Sequence, residues 1–86
     1  MKIRKELVKR TIAGDVILVP VGNASLELKG LLTLNETGES IWDLLPQCET
    51  VDEIVKKMLE EYDVDEAVLR ADVEAILSQL RELEII

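Results

Sequence analysis

Reactive side chains are scarce in this sequence. Cys48 is its only cysteine, and none of its 86 residues is a histidine. A cysteine nucleophile needs a nearby base or cation to hold it as thiolate, so a Cys-His dyad cannot be assembled, nor a Ser-His-Asp triad. The common zinc sites fail for the same lack of imidazole and thiolate. No glycine-rich phosphate loop or dinucleotide fingerprint is present. Carboxylates are plentiful, and a carboxylate-only magnesium site is the one metal chemistry that composition leaves open. Asp63-Val64-Asp65-Glu66 begins like a calcium loop but lacks the glycine and the later ligands, and a helix start explains it better. The inventory predicts a protein that is not an enzyme, with no metal and no cofactor.

The elements that carry these residues must fit a short chain. Residues 1–86 are expected to form a single domain burying about 60–65% of the surface its unfolded form exposes. Hydrophobic residues make up 48% and charged residues 33%, a globular composition rather than a disordered or membrane one. The longest apolar run, Val16 to Val21, is too short to span a bilayer. The basic start Met1-Lys2-Ile3-Arg4-Lys5 is followed by no apolar h-region, and with one cysteine no internal disulfide forms. A cytoplasmic protein without membrane partners is expected. Charge is divided: residues 1–10 carry a net +4 and residues 36–86 a net −11, within a total of −8. Such a field repels phosphate backbones unless a basic face is segregated from it.

The first third reads as strands. Glu6 to Ala13 is β-permissive, with Val8 and Ile12 on one side and Arg10 between them. Gly14-Asp15 gives a two-residue hairpin signal of type II′, with Gly14 at the first turn position. Val16-Ile17-Leu18-Val19 suits a central, well-buried strand, and Pro20 belongs at its end or at an edge. Gly22-Asn23 marks a second turn. From Leu26 to Leu34 the even positions are Leu26, Leu28, Gly30, Leu32 and Leu34, which predicts a third strand with one face toward the core. Leu31 is the exception on its polar face, and Gly30 marks a bulge or a close backbone approach.

Three helices are expected after it. Asn35 is an N-cap, Thr37, Ile41, Leu44 and Leu45 form a stripe, and Pro46 ends the helix. Thr50-Val51-Asp52-Glu53 matches the capping box, ahead of Val51, Ile54, Val55, Met58, Leu59 and Tyr62 at helical period. Asp63-Val64-Asp65-Glu66 offers a second box, with Asp65 at the cap of the last helix. That helix carries Leu69, Val73, Ile76, Leu80 and Leu83, with Ala75 and Leu77 widening the stripe. The order β-β-β-α-α-α gives an α+β fold, a three-stranded antiparallel sheet followed by three helices. The last two helices, joined through Asp63, suit a helix-turn-helix with the strands as its wing.

Leu32-Thr33-Leu34-Asn35-Glu36-Thr37-Gly38, running into Ile41-Trp42-Asp43-Leu44-Leu45, resembles the central motif of the pyrroloquinoline quinone synthesis protein D family. Thr50 to Val55, Leu59 to Asp63, Asp72-Val73 and Leu80 continue the pattern. The resemblance implies a winged helix-turn-helix fold and a recognition element for ribosomally made, post-translationally modified peptides. Such an element binds the leader of a precursor peptide and presents it to a modifying enzyme, often of the radical S-adenosylmethionine type. The leader adds as a strand to the third strand and lies between it and the last helix. Carried onto this chain, the binding residues are Gly30, Leu31, Leu32, Thr33 and Leu34 on the strand, with Val68, Leu69, Asp72, Val73 and Ile76 on the helix. Leu69, Val73 and Ile76 have an alternative role as core residues. Which peptide pathway the chain serves stays open.

Two other readings compete. A winged helix can bind DNA, but the final helix sets Arg70 and Arg81 against Glu66, Asp72, Glu74, Glu82 and Glu84, the wrong balance for a groove reader. No nucleic acid is therefore expected as a partner. A protein-interaction or dimerisation module is the other reading, and an open sheet edge is compatible with a homodimer even in a peptide binder.

Overall fold

The computed structural model describes residues 1–28 and 32–86. Gly30 and Leu31 lie outside the described residues. Strands β1 (Leu7–Ile12) and β2 (Asp15–Pro20) form an antiparallel hairpin, and β3 (Leu32–Leu34) adds antiparallel to β2, giving the sheet order β1-β2-β3. The hairpin pairs Ile12 with Asp15, so its loop is Ala13-Gly14 rather than Gly14-Asp15. Both loop residues have positive φ, 52° and 85°, the type I′ signature rather than II′. The I′ turn matches the right-handed twist of its strands closely enough to hold Ala13 in the left-handed region. Pro20 is the last residue of β2, opposite Leu7, where its missing N–H disturbs the ladder least.

The register sorts side chains by face. Rows Lys9–Leu18–Leu32 and Thr11–Val16–Leu34 lie on the helix side, and row Arg10–Ile17–Thr33 lies on the other. Strand β2 is central as expected, but only Leu18 is fully buried; Val16, Ile17 and Val19 are half-buried. The helices cover one face of the sheet, so β-branched continuity did not mean burial on both sides.

A short helix, α1 (Ala24–Glu27), occupies the segment where the alternation placed the start of the third strand. Gly22 at φ 58° turns the chain, the Ser25 hydroxyl donates to the Gly22 carbonyl at 2.7 Å, and Ala24 is the buried residue of the turn. Leu26 is 83% exposed while Leu28 packs against the core, so the two do not share one core face. Local hydrogen bonding from Gly22 and Ser25 outweighed the period-two pattern there.

Helix α2 (Glu36–Leu44) is capped by Asn35, whose Oδ1 accepts from the Gly38 amide at 2.7 Å. It passes into a 3₁₀ turn, Leu45–Gln47, that contains Pro46. Helix α3 (Val51–Glu61) begins at Thr50, whose hydroxyl oxygen accepts from the Glu53 amide at 3.2 Å. The Glu53 carboxylate meets the Thr50 hydroxyl at 3.4 Å, so only one arm of the expected capping box is made to backbone. Helix α4 (Glu66–Glu82) is capped by Asp65, which accepts from the amides of Ala67 and Val68 at 2.9 and 3.2 Å. Asp65, and not Asp63, therefore starts that helix, and its carboxylate is committed to the cap rather than to any cation.

The core joins Ile41, Leu45, Cys48, Ile54, Val55, Met58, Leu69, Val73, Leu77, Leu80 and Ile85. Cys48 is wholly buried in it, a packed thiol. Leu77 belongs to this face of α4 but Ala75 is exposed, because two residues of separation place them on opposite sides of a helix. Helices α3 and α4 form the helix-turn-helix pair, with the sheet beside it, an α+β arrangement as expected. Among the described residues, no helix is long and apolar enough to cross a membrane.

Candidate functional site

Strand β3 ends the sheet: among the described residues it pairs only with β2. It is short and carries no charge. Leu32 and Leu34 are half-buried toward the helices, while Thr33 is exposed on the other face. The far edge of such a strand offers backbone donors and acceptors, with side chains alternating above and below.

Next to it is a groove of about 460 Å³ lined by Asp15, Leu32, Thr33, Leu34, Asn35, Gly38, Ile76, Gln79 and Leu80. One wall is β3, the other is α4, and the N-terminus of α2 closes the space between them. A close approach shapes that corner. A Cβ placed on Gly38 would stand 3.1 Å from Asn35 Oδ1 and 3.3 Å from Leu34 Cδ2, so glycine lets the capped helix sit against β3.

The ten residues carried over from the resemblance fall into four groups. Leu32, Thr33, Leu34 and Ile76 are brought together around the groove. Leu69 and Val73 are 4% and 0% exposed and belong to the core, so their contribution is to hold α4 in place. Val68 and Asp72 are exposed and stand two turns and one turn before Ile76. At 100° per residue, Val68, Asp72, Ile76 and Gln79 fall within one narrow strip of α4, beside the buried strip of Leu69, Val73, Leu77 and Leu80. Val68 is 60% exposed, unusual for a helix valine, and it extends the groove-side strip. Gly30 and Leu31 lie outside the described residues.

Sequence reasoning missed Asp15, Asn35, Gly38, Gln79 and Leu80 as lining residues. Gln79 was within reach of it, since it lies three residues beyond Ile76 on the same strip. Asp15 was not, because only the sheet register places the start of β2 beside the end of β3.

Electrostatics on the other side of α4 bear on nucleic-acid binding. Arg70 Nη2 lies 2.6 Å from Asp52 Oδ1, and that hydrogen bond raises the guanidinium above its ordinary pKa. The cleft there is lined by Asp52, Lys56, Leu59, Glu60, Glu66 and Arg70, a mixture in which the arginine is already engaged. A phosphate would have to displace Asp52 and approach Glu66. The helix that a winged-helix protein would insert into DNA is thus acidic and self-paired.

Residues 15–86 match the model of a family described as coenzyme PQQ synthesis protein D. Among solved structures, the chain is similar to TbiB1 in complex with the TbiA(beta) leader peptide. The identity is 28%, the TM-score is 0.72, and the match covers 99% of this chain and 93% of that one. No curated protein matches.

Proposed function

Because this chain belongs to the coenzyme PQQ synthesis protein D family, we propose that it binds the leader of a ribosomally made precursor peptide by strand addition to β3. The observation that carries the reading is the uncharged edge strand Leu32–Leu34, set beside a groove whose other wall is the Ile76 strip of α4. An added strand gains affinity from main-chain hydrogen bonds and selectivity from alternate side chains. Its inward side chains would continue the rows that end in Leu32 and Leu34, and its outward ones the row that ends in Thr33. The similarity to a protein solved with a leader peptide supports this assignment.

In this reading residues 1–86 act as a single non-catalytic domain. It holds the leader and presents the peptide to a modifying enzyme of the radical S-adenosylmethionine type. Leu32, Thr33, Leu34, Val68, Asp72 and Ile76 touch the leader, with Gly30 and Leu31 as the further contacts that the resemblance implies. Leu69 and Val73 act by packing. A homodimer through the β3 edge would compete with the leader for the same hydrogen bonds.

The test is an NMR titration of labelled protein with synthetic leaders from precursor genes neighbouring its own. Amide shifts concentrated in Leu32–Leu34 and at Val68, Asp72 and Ile76 are expected. Saturable binding whose shifts fall on β1 or on the Arg70 cleft would refute the site.

A further inference from the structure

The sheet face turned away from the helices is aliphatic where a water-facing sheet is ordinarily polar. Alternation along the strands puts the pairs Val8–Val19 and Ile12–Asp15 on the side of the row Arg10–Ile17–Thr33. The Val21 amide donates to the Glu6 carbonyl at 3.1 Å and continues the ladder by one pair, so Glu6 and Val21 join that side. None of Val8, Ile12, Ile17, Val19 and Val21 belongs to the core cluster or packs against it. Ile12 is 56% exposed and the other four are half-buried. A contiguous apolar patch of this kind marks an interaction site.

Its charges point to the occupant. Arg10 stands in the middle, with Glu6 toward one end and Asp15 at the other. None of the three forms an ion pair among the described residues. Such a face fits itself: turned over on a two-fold axis, it lays aliphatic rows on aliphatic rows and brings each Arg10 toward an acid of the other copy. The helical part of the surface does the opposite, because residues 36–86 carry a net −11 and repel a second copy.

We propose that two copies of this chain pair through the outer face of the sheet, as the layers of a sandwich about 10 Å apart. The face is small. Strands about 4.8 Å apart and residues about 3.4 Å along them give roughly 300 Å² per copy, against about 800 Å² per partner in a standard interface. The dimer is therefore weak and forms at high protein concentration. It leaves the β3 edge and the groove open, so it stands independently of strand addition and does not compete with a leader.

The experiment is sedimentation velocity from about 1 µM to about 1 mM protein. The parent should move from the monomer toward the dimer coefficient across that range. Arg10→Glu leaves only acids among the charges of the face, and Glu6→Lys with Asp15→Lys leaves only cations. Each of these variants alone should associate at least about tenfold more weakly than the parent. Mixed, the two should recover the parent's association, because every cation again meets an acid. Both remain net negative as whole chains, so general attraction between them does not produce that recovery. Ile17→Thr keeps a β-branched residue in the strand and should weaken pairing by removing apolar contact. The charged positions are exposed, and circular dichroism checks that every variant folds. A parent that stays monomeric at every concentration overturns the proposal. So does a dimer that survives unchanged in Arg10→Glu and Ile17→Thr, or a mixture of the two charge variants that fails to associate.

Discussion

The two edges of this sheet are built oppositely. Strand β1 is six residues long and carries Lys9 on one face and Arg10 on the other. Lys9 reaches across to α2, where its ammonium lies 2.9 Å from Asp43 and 3.0 Å from Glu39. Charges along an edge, lysine especially, make it costly for another strand to dock, because docking would desolvate them. Strand β3 is three residues of Leu-Thr-Leu, with a groove alongside rather than a charge. Natural sheets guard exposed edges, so an unguarded edge facing a lined groove is better explained by use than by neglect. If β3 is the binding edge, the basic N-terminal strip blunts the other one, and two of its lysines are tied down by carboxylates of this same chain.

Proline substitution breaks the contrast most strongly. In an antiparallel edge strand, successive N–H groups alternate between the neighbouring strand and the open side. Of Leu32→Pro and Thr33→Pro, one therefore removes a bond to β2 and the other removes a donor from the open edge. The first should lower the melting temperature. The second should leave the fold intact and weaken leader binding about a hundredfold, since a lost ladder bond also strands a carbonyl on the peptide. Isothermal titration and thermal melts on both variants separate the two losses. If both folded variants bind a leader as the parent does, the edge of β3 is not the binding surface.

How much of this was legible in the sequence depends on what kind of signal each element carries. Helices α2, α3 and α4 were legible because side-chain caps and a 3.6-residue period agree: Asn35, Thr50 and Asp65 each cap in the structure. The sheet was legible in outline, and Val16 to Val19 was read as its central strand. The segment before β3 was misread because Leu26 and Leu28 mimic a strand face. Gly22 and Ser25 instead close a helical turn that leaves Leu26 in solvent. The hairpin type was misread for a subtler reason: alanine rarely takes positive φ, and Ala13 does so only because the paired strands impose it. For the groove, β3 and Ile76 followed from the family resemblance. Asp15 and Gly38 join it through strand register and helix approach, relations between segments that no local pattern records.

Replacing one wall of the groove sharpens the comparison. Ile76 is half-buried, and its exposed share faces the trough rather than the core. Ile76→Ala removes apolar contact from the peptide at about 25 cal/mol per Å², and a roughly fivefold weakening of leader binding follows if some 40 Å² is lost. Arg10→Gln, on the opposite edge, should leave the same affinity unchanged. Fluorescence anisotropy with a labelled leader reads both. Equal losses in the two variants would mean that the groove is not where the leader gains its affinity.

The smallest effect concerns the guard on β1. Hydrogen bonds from Lys9 to Asp43 first, and to Glu39, raise its pKa above 10.5 in the folded chain. A raised lysine pKa stabilises the fold at every pH below the unfolded value, because there the ammonium is charged in both states and paired only in the folded one. That contribution is lost as pH rises above 10.5 and through the higher folded value. Lys9→Met should therefore melt slightly below the parent at neutral pH. The two melting curves should then converge on the alkaline side, whatever the other lysines and Tyr62 do, since those are common to both proteins. Salt should narrow the neutral gap as well, because the pair is exposed enough to be screened. A gap that persists unchanged into strong alkali would show that Lys9 supports β1 by packing its stem over the sheet, and that its charge guards the edge without holding it to α2.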